Sequence, residues 1–391
     1  MRLNLKRFWL FDDPRSYGAR AILRGAAEGL RAIGKEARLF PFDPSAPNAA
    51  VQLREDLLRF RPDAVLLANH PASLFYSQIG LNEPPCPTLV WIFDDPYMMG
   101  DERYSPDEIV LAADPGFIEG ARARGAEKIY FLPVAAPMQN DFQTLPPHAV
   151  PIAYVGAALS LDGMRARMAP DMAAYLDRIA RRKALEPAAS FPDLLERDPI
   201  TEGKRVSFSG PLAYYLYTEA NRLARLRFLN ALAPFGLRLY GNEAWKPAIQ
   251  GTALESCFKG KLDPFTEYPH LIHSAAININ LRSLQGFSAP TQRDFLIPRL
   301  GGFMLATSIS PSAIDWRAND PSDRFRLSDF PWAPSYETPE AMAAAALGYL
   351  QDEFSRREWV NYAAEIIAKN HTFAKRMEQL LEVCKALEKG I

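Results

Sequence analysis

The stretch AAININLRSLQGFSAPTQRDFLIPRLGGFML, residues 275–305, decides how the rest of the chain is read. It opens on an alternating apolar run, Ala276-Ile277-Asn278-Ile279-Asn280-Leu281, which predicts a short buried strand. A polar stretch with Gly286 and Ser288 follows. Gln292–Leu300 reads as a helix closed by Gly301-Gly302, and Phe303-Met304-Leu305-Ala306 begins a second strand. Strand, loop, helix, Gly stop and strand make one βαβ unit. A helix N-terminus at the carboxyl end of parallel strands attracts anions, because its unpaired N–H groups and its dipole point at the ligand. Ser288, Thr291, Gln292 and Arg293 stand at that end, so a phosphate-bearing ligand is expected there.

The same alternation runs through the N-terminal part. Strands are expected at Leu3–Phe11, Ala37–Phe42, Asp63–Ala68, Thr88–Phe93, Ile109–Ala113 and Lys128–Leu132. Helices are expected at Ala19–Ile33, Val51–Phe60 and Gly116–Arg124. Apolar strands alternating with helices over short connections predict a parallel sheet covered on both faces. Pro133–Pro151 reads as an interdomain linker, and a second set starts at Ile152–Val155. Leu161–Leu232 is too long for a loop and reads as a helical insertion, with acceptor or dimer contacts as roles open to it. Strands at Leu237–Tyr240 and Phe258–Leu262 and a helix at Phe265–His273 lead into the central unit. Helices at Met342–Phe354, Arg357–His371 and His371–Leu387 close the chain.

Bulk composition narrows the class. The 391 residues suffice for two to three domains, and 48% hydrophobic content supplies their cores. A net charge of −1 points to neither nucleic acid nor a membrane surface. There is no apolar run of membrane-spanning length and no signal-peptide pattern, so a cytoplasmic protein is expected. Cys86, Cys257 and Cys384 are scattered and odd in number, which suits reduced structural thiols. His270 and His273 lack partners of metal-ligand type nearby in sequence, and no metal site is expected.

Several stretches together resemble bacterial GT-B glycosyltransferases, particularly those similar to spore-maturation protein B. In that group an Asn-rich strand and Gly/Ser loop precede R-x-F-E-x-x-A-x-G-G; here Asn278, Asn280, Ser288, Arg293, Phe295, Gly301 and Gly302 match, while the acidic position holds Leu296 and the small position Arg299. VWIFDDP (90–96), GAEKIYFLPVAA (125–136), AYVGA (153–157), LRLYGNEAW (237–245) and HTFAKRMEQLL (371–381) follow the family's order. The resemblance implies two Rossmann-like α/β domains facing a cleft: an acceptor-side domain over 1–135 and a donor-side domain over 150–370, with an insertion at about 160–232. A C-terminal helix, 371–391, packs back on the first domain. It also implies transfer of a sugar from a nucleotide-diphosphate sugar, with no cofactor and no obligatory metal, and a glycan, protein or small metabolite as acceptor. A homodimer stays open.

Such chemistry must neutralise a diphosphate, hold a nucleoside and place a hydroxyl. Arg293 and Arg282 are the expected cations, because a guanidinium matches phosphate with two parallel hydrogen bonds. Gly156 and Gly241 end strands and let backbone approach a ligand, or simply make tight turns; Tyr240 and Asn242 flank Gly241 on the donor side. With Leu296 unable to accept from ribose, Glu243 is the substitute acceptor. Gly286 and Asn280 complete the donor side. His70, Asp94 and Asp95 end buried strands of the first half and are the candidates for base or acceptor orientation; a capped turn is the alternative for Asp-Asp-Pro. Asp12-Asp13-Pro14 stands where relatives carry a Gly-rich acceptor loop. His371-Thr372 and the cluster Tyr214–Tyr217 are read mainly as structural. Two other functions compete: a GT-B-shaped nucleotide- or sugar-binding partner protein with a decayed donor site, and an enzyme acting on a sugar phosphate.

Overall fold

The computed structural model describes residues 5–13, 17–100, 102–137, 149–200, 208–286, 288–308, 330–331 and 333–388. Two six-stranded parallel sheets organise them. The first has the order β2-β1-β3-β4-β5-β6, with β1 Arg7–Asp12, β2 Glu36–Pro41, β3 Ala64–Ala68, β4 Thr88–Ile92, β5 Ile109–Ala112 and β6 Lys128–Phe131. The second has the order β12-β11-β10-β7-β8-β9, with β7 Val150–Val155, β8 Leu237–Tyr240, β9 Phe258–Gly260, β10 Ala275–Asn280, β11 Met304–Thr307 and β12 Ser335–Tyr336. The strands are near-continuous apolar runs because both faces are covered; β4 and β10 are buried at every position.

Helices of the first lobe are α1 Tyr17–Ala32, α2 Ala49–Phe60, α3 Ala72–Gln78 and α4 Phe117–Ala123. The insertion consists of α5 Asp162–Arg165, α6 Pro170–Leu185, α7 Phe191–Glu196 and α8 Gly210–Leu232. Then come α9 Trp245–Ile249, α10 Leu254–Cys257, α11 Glu267–Ser274, α12 Gln292–Arg299, α13 Pro339–Gln351, α14 Glu353–Asn370 and α15 Phe373–Glu388. Among the described residues no helix is long and apolar enough to cross a membrane.

Most elements fall where the periodicity places them, and the departures have local causes. Helix α3 was not expected: it has seven residues and follows a Pro, too few for a period to show. Asp63 stays outside β3 because its carboxylate accepts from the Lys6 and Arg7 N–H groups at 2.8 Å and anchors the start of β1. The stretch expected as a linker is packed at its beginning: Val134, Ala135 and Ala136 are buried in the first core. Its middle, 138–148, lies outside the described residues, as does Pro14. The tyrosine cluster is largely core, with Tyr215 and Tyr217 buried and Tyr214 exposed. The insertion's core also takes in Tyr97 and Met98 of the first lobe, so it touches both halves.

The chain returns to the first lobe at its end. Ala136 N–H donates to the His371 carbonyl at 2.8 Å, and Phe373 N–H donates to the Ala136 carbonyl at 3.0 Å. Thr372 Oγ1 accepts from Lys375 N–H at the start of α15. His371 is buried beside Phe295 and Phe330, and burial pulls its pKa down to about 3, so it is a neutral packing residue. Helix α15 lies against α1, where Gly25 and Gly29 clear its path. A Cβ on Gly25 would stand 2.1 Å from the Phe373 ring, and one on Gly29 2.5 Å from the Phe373 carbonyl oxygen. Arg376, buried beside them, donates to the Val134 carbonyl at 3.1 and 3.2 Å. Since the obstacle at Gly29 is backbone, Gly29→Ala should lower the unfolding free energy by about 1–3 kcal/mol in urea titrations. A loss within about 0.5 kcal/mol would mean that the helices part freely.

Candidate active site in the interlobe cleft

The loop between β10 and α12 ends in a capping box. Thr291 and Asp294 cap the helix reciprocally, and the Asp294 carboxylate accepts from Thr291 N–H at 2.8 Å and Thr291 Oγ1 at 2.7 Å. The same carboxylate accepts from Asn280 Nδ2 at 3.1 Å and from Arg282 Nε at 3.3 Å, and Arg282 Nη2 closes the pair. Arg282 also reaches the Thr307 carbonyl, and its N–H donates to Thr307 Oγ1 at 3.0 Å. Side-chain exposure is 5% for Arg282 and 1% for Asp294. The charge of Arg282 is therefore cancelled within the protein, which corrects its reading as a cation for phosphate. Asn280 and Thr291 serve the same lock. Asp294 also places a negative charge at the positive end of α12, so helix polarity alone supplies less anion affinity than the sequence suggests.

Arg293, the next residue, has a different environment. It lines a cavity of about 510 Å³ between the lobes. Its guanidinium sits 5.8 Å from the centre of the Tyr154 ring, and among the described residues no carboxylate lies within ion-pair distance of it. Gln292 and Leu296, one turn along α12, line the same cavity, as do Phe265 and Tyr268. The opposite wall is α1, through Ala21, Arg24 and Glu28. Arg24 is spent on Asp12, with Nε 3.0 Å from Oδ2, and Arg20 holds the other carboxylate oxygen at 2.6 Å. Burial pushes the Asp12 carboxyl up, but these guanidinium bonds outweigh it and hold the pKa below the ordinary value. Arg24 also stacks 4.7 Å from the Phe265 ring, tying the two walls together.

Gly156, Gly241 and Asn242 line this cavity too. The glycines are required by packing. A Cβ on Gly241 would lie 2.3 Å from the Gly156 carbonyl oxygen and 2.6 Å from Trp245, and one on Gly156 would meet the Tyr154 hydroxyl at 2.5 Å. The Gly156 carbonyl accepts from Trp245 Nε1 at 2.6 Å. Asn242 braces the loop, accepting from Ala158 N–H at 2.9 Å and donating to its carbonyl at 2.8 Å. Glu243 is turned to solvent, paired with Lys246 at 2.6 Å, and is not part of the cavity wall. Tyr240 is outside it as well; its carbonyl accepts from Gly156 N–H.

The first-lobe candidates lie elsewhere in the cleft, where they join the lobes. Asp94 accepts from Asn69 Nδ2 and from Gln285 Nε2 of the second lobe, both at 2.8 Å. Asp95 accepts from Tyr97 N–H at 2.9 Å and from the Tyr217 hydroxyl of α8 at 2.7 Å. His70 points away, its ring 3.5 Å from Glu102 and largely exposed. Gly286 and Ser288 meet Asp114. One Asp114 oxygen accepts from the Ser288 and Ala289 N–H groups at 2.9 and 3.0 Å, and the other from Gly116 N–H at 2.8 Å. The loop N–H groups expected to face a ligand are thus filled by a carboxylate of the chain itself. Asp114 and Asn69 had not been singled out. Asp114-Pro115 repeats the strand-ending Asp-Pro of residues 95–96, which is the signal that could have found it. Asn69 shows none beyond being Asn, a residue that tolerates its φ of 62°.

Burial pushes the Asp95 carboxyl up to about 6, and the bonds from Tyr217 and Tyr97 offset this only in part. Its ordinary value is 3.8, so as pH rises from about 4 to 6 the unfolded chain loses this proton while the fold keeps it. Asp95 therefore contributes stability that is present below about pH 4 and lost by up to about 3 kcal/mol as pH passes 6. Urea titrations of the protein and of Asp95→Asn across that window should show this difference shrinking with pH; a constant difference would mean that Asp95 ionises freely in the fold.

No curated protein matches the sequence. A family described as glycosyl transferase-like matches residues 222–382, from the end of α8 into α15. Among solved structures, an alpha-glucosyltransferase in complex with UDP-glucose and DNA containing an abasic site superposes with a TM-score of 0.52 at 9% identity, over 96% of this chain and 98% of that one. An alpha-glucosyltransferase with UDP and a 13-mer DNA containing a HMU base gives 0.50 at 9%, with the same coverage. The catalytic domain of Starch Synthase IV from Arabidopsis thaliana, bound to ADP and acarbose, gives 0.49 at 10%, over 97% and 98%. At such identities the likeness is one of fold. Two parallel sheets facing a cleft, with a last helix returned to the first lobe, give this chain the GT-B fold, and its residues 222–382 match a glycosyl transferase-like family.

Proposed function

We propose that the protein is a glycosyltransferase that moves a sugar from a nucleotide-diphosphate sugar to an acceptor hydroxyl, with the 510 Å³ interlobe cavity as its donor site. The observation that carries this is Arg293, a guanidinium without a carboxylate partner among the described residues, held over Tyr154 inside a cavity of nucleotide size. A leaving diphosphate gains most from a fixed cation that needs no reorganisation as charge develops. Phe265 and Tyr268 offer ring faces for a base. No metal takes part in the proposed charge neutralisation, which belongs to Arg293. Asp94 is the proposed acceptor-side carboxylate: each of its oxygens holds one hydrogen bond and keeps acceptor capacity. Uridine nucleotides are the first to try, since both alpha-glucosyltransferase structures hold UDP or UDP-glucose.

Leu296 favours a second reading. It places an aliphatic side chain on the cavity wall where the family pattern has a carboxylate, and Asp294 next to Arg293 is spent inside the lock. On that reading the cavity binds a nucleotide without transfer.

Calorimetric titration with UDP, GDP and ADP, with assays of the matching nucleotide sugars for hydrolysis, tests both. Arg293→Met should weaken the preferred nucleotide by about 10–100-fold, the worth of a charge-assisted hydrogen bond to phosphate. Hydrolysis in the presence of EDTA is expected for the enzyme; binding without turnover supports the second reading. Equal nucleotide affinity in the protein and Arg293→Met would defeat both.

A further inference from the structure

Helix α8 carries an inward-facing polar stripe. Thr218, Asn221, Arg222 and Arg225 recur at i, i+3, i+4 and i+7, the spacing of one helix face. Such a face ordinarily meets water. Here it closes a separate pocket of about 100 Å³, completed by Ala158, Trp245, Ser283 and Gln285. This is about a fifth of the volume of the larger cavity, room for a compact group and not for a nucleotide.

The chemistry of the lining is specific. Thr218 is 5% exposed, and its hydroxyl has no hydrogen-bond partner among the described residues. Arg225 Nη1 donates to the Ala157 carbonyl at 2.9 Å, while its buried Nε has no partner among the described residues. Arg222 is neutralised: its Nε donates to Glu219 at 2.8 Å, and Arg165 takes the same carboxylate at 3.1 Å. Asn221 is engaged with the Leu284 N–H at 2.8 Å and with Ser283 Oγ at 3.3 Å. What remains, among the described residues, is one cation without a carboxylate partner and one free hydroxyl, both lining the same small pocket. Buried donors are rarely left unpaired, because each costs its full desolvation.

We propose that this pocket is a second ligand site, taking a compact oxyanion, a phosphate or carboxylate group, on Arg225 and Thr218, separate from the donor cavity. The loop 156–159 stands between the two: Gly156 and Ala157 face the larger cavity, Ala158 and Leu159 the smaller. Gln285 lines the smaller pocket and donates to Asp94, so one side chain links this pocket to the proposed acceptor-side carboxylate. Two sources share this chemistry, a free ion and the acid group of a second substrate. The site itself does not depend on glycosyl transfer.

Equilibrium dialysis with labelled inorganic phosphate tests it, using the intact protein, Arg225→Met, the near-isosteric Thr218→Val, and Arg293→Met. The protein should bind phosphate saturably in the millimolar range or tighter. Arg225→Met should weaken this by about tenfold and Thr218→Val by about threefold, in keeping with loss of one charged and one neutral hydrogen bond. Phosphate binding that persists in Arg293→Met, and UDP affinity unaltered in Thr218→Val, uphold a separate site. Glucose 6-phosphate bound more tightly than phosphate, with the same dependence on Arg225, assigns the site to a substrate's acid group; equal affinity assigns it to the free ion. No saturable phosphate binding, phosphate binding indifferent to both α8 substitutions, or joint loss of phosphate and UDP in Thr218→Val overturns the proposal. If UDP fails to bind anywhere while phosphate binds through Arg225, the donor-site reading falls and this one stands.

Discussion

The buried pair of Arg282 and Asp294 holds the second lobe's working edge in place. One carboxylate gathers Thr291, Asn280 and Arg282, while Arg282 extends to Thr307, so the end of β10, the start of α12 and the end of β11 become one unit. A charge pair this deep contributes little net stability, because desolvation consumes most of the Coulomb gain. Its value lies in fixing positions. With Asp294 occupied by Arg282, the neighbouring Arg293 lines the cleft with no carboxylate at ion-pair distance among the described residues.

A similar division governs the join between lobes. Asp94, Asp95 and Asp114 all stand at the carboxyl ends of first-lobe strands, where such groups commonly meet ligands, yet each is met by donors from the second lobe. Around the larger cavity the contacts change character. Arg24 stacks on Phe265 across it, and rings and aliphatic carbon make up much of its lining, with Glu28, Lys261, Gln292 and Arg293 among the polar groups.

The architecture was legible because parallel strands covered on both faces are apolar throughout, and β3, β4, β5 and β10 announce themselves at a glance. The stretch that matches a glycosyl transferase-like family includes Arg293, Phe295 and the Gly301-Gly302 stop, the spacing on which the resemblance rests. What did not show was which polar side chain spends itself on which. Arg282 and Arg293 look alike in sequence; only folding reveals that Asp294 turns back toward β10. Glu243 sits close to Gly241 in the chain, but in the turn before α9 it faces outward and pairs with Lys246. Asn69 acts on Asp94, 25 residues on in the same lobe, and Asp114 acts across the cleft on Ala289, 175 residues away, separations at which no local pattern speaks.

The return of the chain at Ala136 brings the outgoing and incoming connections side by side, joined by two backbone hydrogen bonds. A protein whose halves are linked by a single thread can swivel in any direction. Here the two crossings are pinned to each other where Ala136 meets His371 and Phe373, so neither connection shifts at that point without carrying the other.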